Sequence, residues 1–379
     1  MPKRPVLHVI NNLNVSGATT LLLDAARQMR PAPGELTICT LEPDNPMAGA
    51  LEEAGAKMLC PWKQMNLASA VMWVRRAIRE ICPAIVHTHL LPATQIGLIA
   101  AKQAGKPVVT TVHFTFDHLR ANLMLRQVNQ ISYRFYDRVF AISNAVRQSI
   151  TENCRVAEGR LRVVRSGVDF SRILMPRQPD IRRSLSFADD DFVIGSVARL
   201  EELKGLQLLL DALAVLRPHF PHARVLLVGD GSYRAELEKK TQDLDLTGSV
   251  VFAGSRENPA QYYSAMDAFA LPSLSEGLGL SLIEAMAAGL PSVGSTAGGI
   301  PEVITHGESG LLFENGDANR LAECLDRLMR DKQLRQKLAA GGRQKAEADF
   351  AVEDYVRRLY AEYEALLQPS AALHEGAYA

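Results

Sequence analysis

The chain has 379 residues, of which 47% are apolar and 22% charged, with 42 basic and 42 acidic side chains and no net charge. That length exceeds one ordinary core and suits two domains of middling size. No apolar run approaches the ~18 residues of a membrane span, the short basic start lacks a signal-peptide core, and five scattered cysteines form neither a CxxC pair nor an even framework, which argues against a spanning protein and a disulfide-stapled secreted one.

The expectation is a cytoplasmic protein with reduced thiols. The zero total hides a gradient. Residues 1–170 carry about 8 excess positive charges and the rest about 8 excess negative ones, so the front half has the sign to face an anionic surface.

In chain order, "VLHVI" (6–10), "LTICTL" (36–41), "AIVHTH" (84–89), "PVVTTVH" (107–113), "RVFAIS" (138–143) and "LRVVRSG" (161–167) read as strands. Between them "GATTLLLDAARQM", "ASAVMWVRRAIREI", "PATQIGLIAAKQAG" and "LRANLMLRQVNQISYRFYD" are apolar at helical spacing. Such alternation predicts a parallel sheet covered on both faces. Residues 171–191, with two prolines, many charges and no period, form the expected linker between a domain at 1–170 and one at 192–350. The second domain repeats the alternation with "FVIGSVA", "ARVLLVGDG", "SVVFAG", "DAFALPS", "LPSVGS" and "GLLFE". A last helix, 351–367, can pack on either. The fold class is therefore α/β, with two doubly wound Rossmann-like domains facing each other across a cleft.

Open sheets of this kind bind ligands beyond the carboxyl ends of their strands, and the unusual residues fall there. "LSEGLG" reads as a loop and "LSLIEAMAAG" as a helix ending at Gly289. Gly277 and Gly279 let backbone approach a ligand, and the N–H groups from Leu278 through Leu280 to Ser281 make an anion site. Glu284 sits among Leu282, Ile283, Ala285 and Met286, so it needs a fixed partner inside the protein or one supplied by a ligand. Glu276 and Glu284 are at most about 12 Å apart at 1.5 Å per residue, which suits the two ends of an extended ligand and hydrogen bonds from hydroxyls. The bland alternative is that Glu284 is tied to an arginine or a backbone N–H and Glu276 only caps the helix.

An anion needs cations, and "SVARLEELKG" offers Arg199 just after a strand and Lys204 opening the next helix. "LLVGDGSYR" has Gly229 and Asp230 in one GxG, weak as a dinucleotide fingerprint but plausible as a turn under a base or ribose. Ser255 and Arg256 follow the next strand and are placed to meet a nucleobase. In the front domain Gly17 stands alone at a strand-to-helix junction, and His113 ends a strand toward the same cleft as a polar or acid–base group near neutral pH. His87 and His89 share a strand face, but no third metal ligand is apparent, and no metal site is expected. "ADDDF" precedes its strand and reads as a solvated loop. The stretch 119–139, with Arg120, Arg126, Arg134 and Arg138 among apolar residues, fits an amphipathic helix on anionic lipid, a site for an anionic acceptor, or an ordinary core-facing helix.

Together "NVSGATTLLLDAA", "VHTHL", "TVHF", "AISNAV", "SGVD", "SVARLEELKG", "LLVGDG", "LSEGLGLSLIEAMAAGLP" and "GGIPEVI" resemble the retaining glycosyltransferases of family 4, with the GT-B fold, along most of the chain. The resemblance implies metal-independent transfer of a sugar from a UDP- or GDP-sugar to a glycan or lipid-linked acceptor, with no cofactor, in polysaccharide or glycolipid biosynthesis. It implies that Arg199 and Lys204 neutralise the diphosphate, Glu276 holds sugar hydroxyls, and Gly277 to Leu280 cradle sugar and phosphate. Glu284 would then bind ribose hydroxyls, Gly17 would lie against the diphosphate, and His113 would sit by the sugar. Two departures stand out: Ser16 occupies the place of a usual glycine, where its side chain can crowd or bond the phosphate, and Ser166 that of a usual asparagine. The alternatives are a nucleotide-sugar epimerase of the same fold, which needs no acceptor site, and a catalytically silent GT-B partner protein. The enzyme would lie in the cytoplasm, in peripheral contact with the inner membrane face through 119–139, and nucleic acid is not an expected partner.

Overall fold

The computed structural model describes residues 5–32, 34–116, 123–173, 179–256 and 258–368. Its first sheet has seven strands, β1 (Val6–Ile10), β2 (Leu36–Thr40), β3 (Lys57–Leu59), β4 (Ile85–His89), β5 (Val108–Val112), β6 (Arg138–Ala141) and β7 (Leu161–Val163). The second has six, β8 (Phe192–Val197), β9 (Ala223–Val228), β10 (Val250–Gly254), β11 (Ala268–Leu271), β12 (Ser292–Ser295) and β13 (Leu311–Phe313). All the ladders are parallel. The orders are β3-β2-β1-β4-β5-β6-β7 and β10-β9-β8-β11-β12-β13. Each order reverses once, between β1 and β4 and between β8 and β11, and those switch points open the ligand crevices.

The helices of the first domain are α1 (Gly17–Met29), α2 (Ala48–Glu53), α3 (Leu67–Ile81), α4 (Ala93–Gln103), α5 (Leu123–Ser132) and α6 (Asn144–Asn153). Helix α7 (Pro179–Ser184) lies in the expected linker, followed by α8 (Leu206–Leu216), α9 (Arg234–Asp243), α10 (Leu280–Ala287), α11 (Ile300–Val303), α12 (Ala318–Arg330), α13 (Lys332–Asp349) and α14 (Val352–Leu367). Alternation on β1 sorts its residues between two apolar layers. Val6 and Ile10 pack with α1 and α14, whereas Leu7 and Val9 pack with α3 and α4. The chain crosses back to the first domain at Ala351, which bridges to Val168, so α14 packs on α1 and the question of which domain it joins is answered. Strand β3, three residues long and partly exposed, was not anticipated because it carries too few apolar residues to register. Residues 117–122, including Arg120 of the amphipathic stretch, lie outside the described residues.

The expectation of no third histidine near His87 and His89 is corrected by the register. His8 on β1 is paired with His87 on β4, and the ring nitrogens of all three lie within 4.8 Å of one another. They are already used, however: His8 Nδ1 is 2.9 Å from His89 Nε2, and His87 bonds Thr111 Oγ1 at 2.8 Å and the Tyr363 hydroxyl. Burial holds the His8 ring down to about 3, and burial together with the neighbouring rings holds His87 and His89 well below their usual value. The folded cluster thus stays neutral while the unfolded chain takes protons below about pH 6.5, so stability falls as the pH drops. At pH 4.5 the neutral His8 alone costs about 3 kcal/mol of stability. Melting temperatures between pH 7.5 and 4.5 should show a steep acid loss that His8→Phe makes shallower; an unchanged acid slope in the variant would contradict the neutral cluster.

Candidate functional site

The loop between β11 and α10 is where the two domains touch. Gly279 caps α10 in the left-handed region, at φ 96°, and no side chain caps that end, so the first N–H groups of the helix stay open. Gly277 lies against the first domain so closely that a Cβ there would stand 2.4 Å from the His113 carbonyl oxygen. Ser143 donates to the Gly277 carbonyl at 2.6 Å, and Thr115 and Ser275 exchange a hydrogen bond at 3.1 Å. Behind the loop, Glu302 of α11 accepts from the backbone N–H groups of Asn144 and Ala145, at 3.1 and 2.8 Å, at the N-terminus of α6. A carboxylate on one domain therefore meets the positive end of a helix on the other.

Glu276 is held from three sides. Lys204 Nζ lies 2.8 Å from its Oε2, Ser273 donates to the same oxygen at 3.1 Å, and the Gly277 N–H donates to Oε1 at 3.1 Å. Lys204 ends a short turn after β8, and Gly205, left-handed at φ 63°, then starts α8. Arg199 is more than half exposed and only 4.0 Å from Glu201, so it is loosely held. Gly229 and Asp230 shape this loop: a Cβ on Gly229 would stand 2.0 Å from the Ala198 carbonyl oxygen, and the Asp230 carbonyl accepts from Leu200 N–H at 3.0 Å. Their evident role is to seat the loop bearing Arg199. The Asp230 carboxylate itself accepts from the Gly231 N–H and from Arg234.

Across the cleft, Gly17 opens α1, and a Cβ there would meet Leu280 Cδ1 at 3.3 Å, so α1 and α10 abut at their N-termini. The Ser16 side chain turns into a capping box with Thr19, accepting the Thr19 N–H at 3.4 Å while Thr19 Oγ1 accepts the Ser16 N–H at 2.9 Å. This departure from the family pattern becomes a helix cap. His113 Nε2 is 3.5 Å from His89 Nδ1, which ties it to the histidine cluster. Burial holds His113 down to about 4, so it is a neutral hydrogen-bonding ring at pH 7, in place of the expected titration near neutrality. Ser255 and Arg256 are exposed, with the Arg256 guanidinium 5.6 Å from the Tyr262 ring.

The partner required by Glu284 is inside the protein. Arg172 Nη2 lies 2.6 Å from its Oε1, and the Tyr263 hydroxyl donates to Oε2 at 2.7 Å. The same guanidinium reaches Asp24 of α1 at 3.1–3.2 Å. Sequence reasoning missed Arg172, Tyr263 and Asp24. Arg172 is 112 positions from Glu284, in a stretch without period, and Asp24 reads as one polar residue of an amphipathic helix. Neither leaves a local signal.

Two family models lie end to end on the chain. Glycosyltransferase Family 4 matches residues 15–172, and Glycosyl transferases group 1 matches 177–345. Sulfoquinovosyl transferase SQD2 of Arabidopsis thaliana is 29% identical over 356 residues, 88% of this chain and 68% of its own. N-acetyl-alpha-D-glucosaminyl L-malate synthase of Bacillus anthracis is 26% identical over 276 residues, 72% of each chain. Among solved structures, HepE of Anabaena in complex with UDP and glucose superposes with a TM-score of 0.86 at 24% identity, over 96% of this chain and all of that one, which shows the GT-B fold. With both halves matched and both sheets in that arrangement, the chain belongs to the group 1, family 4 glycosyltransferases.

Proposed function

We propose that this glycosyltransferase moves a hexose from a nucleotide-sugar to a glycan or lipid-linked acceptor, with retention at the anomeric carbon and without a metal. The observation that carries the reading is the Lys204–Glu276 pair beside the uncapped N-terminus of α10, with Arg199 on the loop between β8 and Lys204. A diphosphate suits open helix N–H groups with Lys204 beside them and Arg199 on the loop leading to Lys204, and those cations would do the work that a divalent ion does elsewhere. A carboxylate at Glu276 accepts sugar hydroxyls. Glu284, with two of its roughly four lone-pair sites used, keeps capacity for a ribose diol. The relatives named above are sugar transferases, and the HepE complex contains UDP and glucose, which supports a UDP-sugar first.

In the proposed step the bond between the anomeric carbon and the diphosphate oxygen breaks, with the electron pair leaving on the diphosphate. The acceptor hydroxyl attacks from the same face, and its proton passes to the departing phosphate oxygen. Arg199 and Lys204 stabilise the charge that grows there.

The membrane reading keeps its apolar part and loses some of its charge. Leu123 and Met124 of α5 are 67% and 71% exposed, Ile131 is 56% exposed, and Met72 on α3 is 61% exposed. Of the expected basic face, Arg126 bonds Asn153 and Arg138 faces Glu362 at 3.8 Å, whereas Arg134 is exposed. No helix among the described residues is long and apolar enough to cross a membrane. An amphipathic surface of this kind suits peripheral contact with lipid.

Thermal shifts with UDP-, GDP- and ADP-sugars test the donor, and no stabilisation by any of them would sink the reading. Lys204→Ala should cut donor turnover about 10²–10³-fold, and EDTA should leave wild-type turnover unchanged; strong inhibition by EDTA would end the metal-independent proposal. For the membrane, the protein should float with vesicles of phosphatidylglycerol and phosphatidylcholine at low salt, and Leu123→Ser with Met124→Ser should abolish flotation. Equal flotation by the double variant would remove α5 from the contact.

A further inference from the structure

Asp24, Arg172 and Glu284 come from three separate parts of the chain: α1 of the first domain, the turn at Phe170–Arg172 that leaves that domain, and α10 of the second. Arg172 uses Nε for both oxygens of Asp24, at 3.1 and 3.2 Å, and Nη2 for Asp24 at 3.2 Å and Glu284 at 2.6 Å. The side chains of Asp24 and Glu284 are 1% and 9% exposed. The turn carrying Arg172 is itself pinned, because the Asp169 N–H donates to Asp24 and the Asp169 side chain accepts from Ser171.

Stability alone is a poor reason for such a group. A buried ion pair is often matched by apolar residues of the same volume, and this one holds two carboxylates against a single cation. Burial pushes Asp24 up to about 6, against the pull of Arg172, so the arrangement is under electrostatic load. The load is useful if something else donates to Glu284. The cluster also has a geometric consequence. It clamps α1 to α10 about two turns along α1 and one turn along α10 from the point where Gly17 meets Leu280.

We propose that Arg172 is a positioning residue for the donor nucleotide: it fixes the Glu284 carboxylate in the orientation that accepts the ribose diol, and through Asp24 it holds the N-termini of α1 and α10 in register around the diphosphate. The inference rests on the reading of Glu284 as the ribose acceptor. A planar fork is required for this, since an ammonium cannot address Asp24 twice and Glu284 once in fixed geometry.

The test measures Kd for UDP and 2′-deoxy-UDP, and in parallel for GDP and 2′-deoxy-GDP, on the full chain. Wild type should prefer the ribonucleotide about 10-fold or more, as expected for a hydrogen bond to a charged group. Glu284→Ala should abolish that preference. Arg172→Gln should bring the ratio close to one and raise KM for the donor more than it lowers kcat, with Arg172→Lys only partly restoring the ratio. If Glu284→Ala keeps the preference, the ribose reading fails and the proposal with it. If Glu284→Ala loses it while Arg172→Gln keeps the wild-type ratio, the proposal fails and the ribose reading stands. Should Arg172→Gln not fold, Arg172→Lys and Asp24→Asn take its place: a lowered ratio in both supports the positioning role, and a wild-type ratio in both overturns it.

Discussion

Two carboxylates eight residues apart can sit inside this protein only because each has a cation from elsewhere in the chain. Lys204 meets Glu276 from within the second domain, and Arg172 meets Glu284 from the crossing between domains. Much of the cleft follows from these pairings. The first fixes the turn after β8 beneath the loop between β11 and α10. The second fixes α10 against α1. Both helices then present their N-terminal N–H groups to one place, and the glycines at 17 and 277 remove the side chains that would keep the two domains apart.

The contacts across the cleft differ in kind. The bonds from Glu302 to Asn144 and Ala145 are exposed or partly so, and a charged group meeting a helix end in water contributes modestly. The Ser143 bond to the Gly277 carbonyl and the Arg172 cluster are buried or nearly so, and breaking them leaves polar groups without partners. Separation of the domains would therefore cost little at the rim and much near α10.

Most strands were legible because parallel strands covered on both faces read as short continuous apolar runs bounded by glycine and proline. The edge strand Lys57–Leu59 lacks that burial and left no such trace. The candidate site was legible where its residues are close in the chain, as at Glu276 to Glu284. It was not legible where it depends on register or on distant pairing. His8 joins His87 and His89 only once β1 lies beside β4 in that register. Arg172 finds Glu284 only when the chain has crossed between domains. The GDG turn is ambiguous in another way. Its glycines are needed because backbone packs on backbone at Ala198 and Leu200, and a turn built for packing has the same letters as one built for a ligand.

The two cations assigned to the diphosphate are held differently. Lys204 is mostly enclosed and paired with Glu276, whose same oxygen also accepts from Ser273. Arg199 is exposed and only weakly drawn to Glu201, so it can move to whatever oxygen acquires charge. On the reading proposed above, a diphosphate would compete with Glu276 for Lys204 and leave that carboxylate to sugar hydroxyls. On the proposed donor reading the Lys204–Glu276 pair would open as the donor binds, with phosphate taking the cation and sugar taking the anion. On this account charge matching and sugar recognition are one event, which explains why an acidic residue is placed beside an anion site at all.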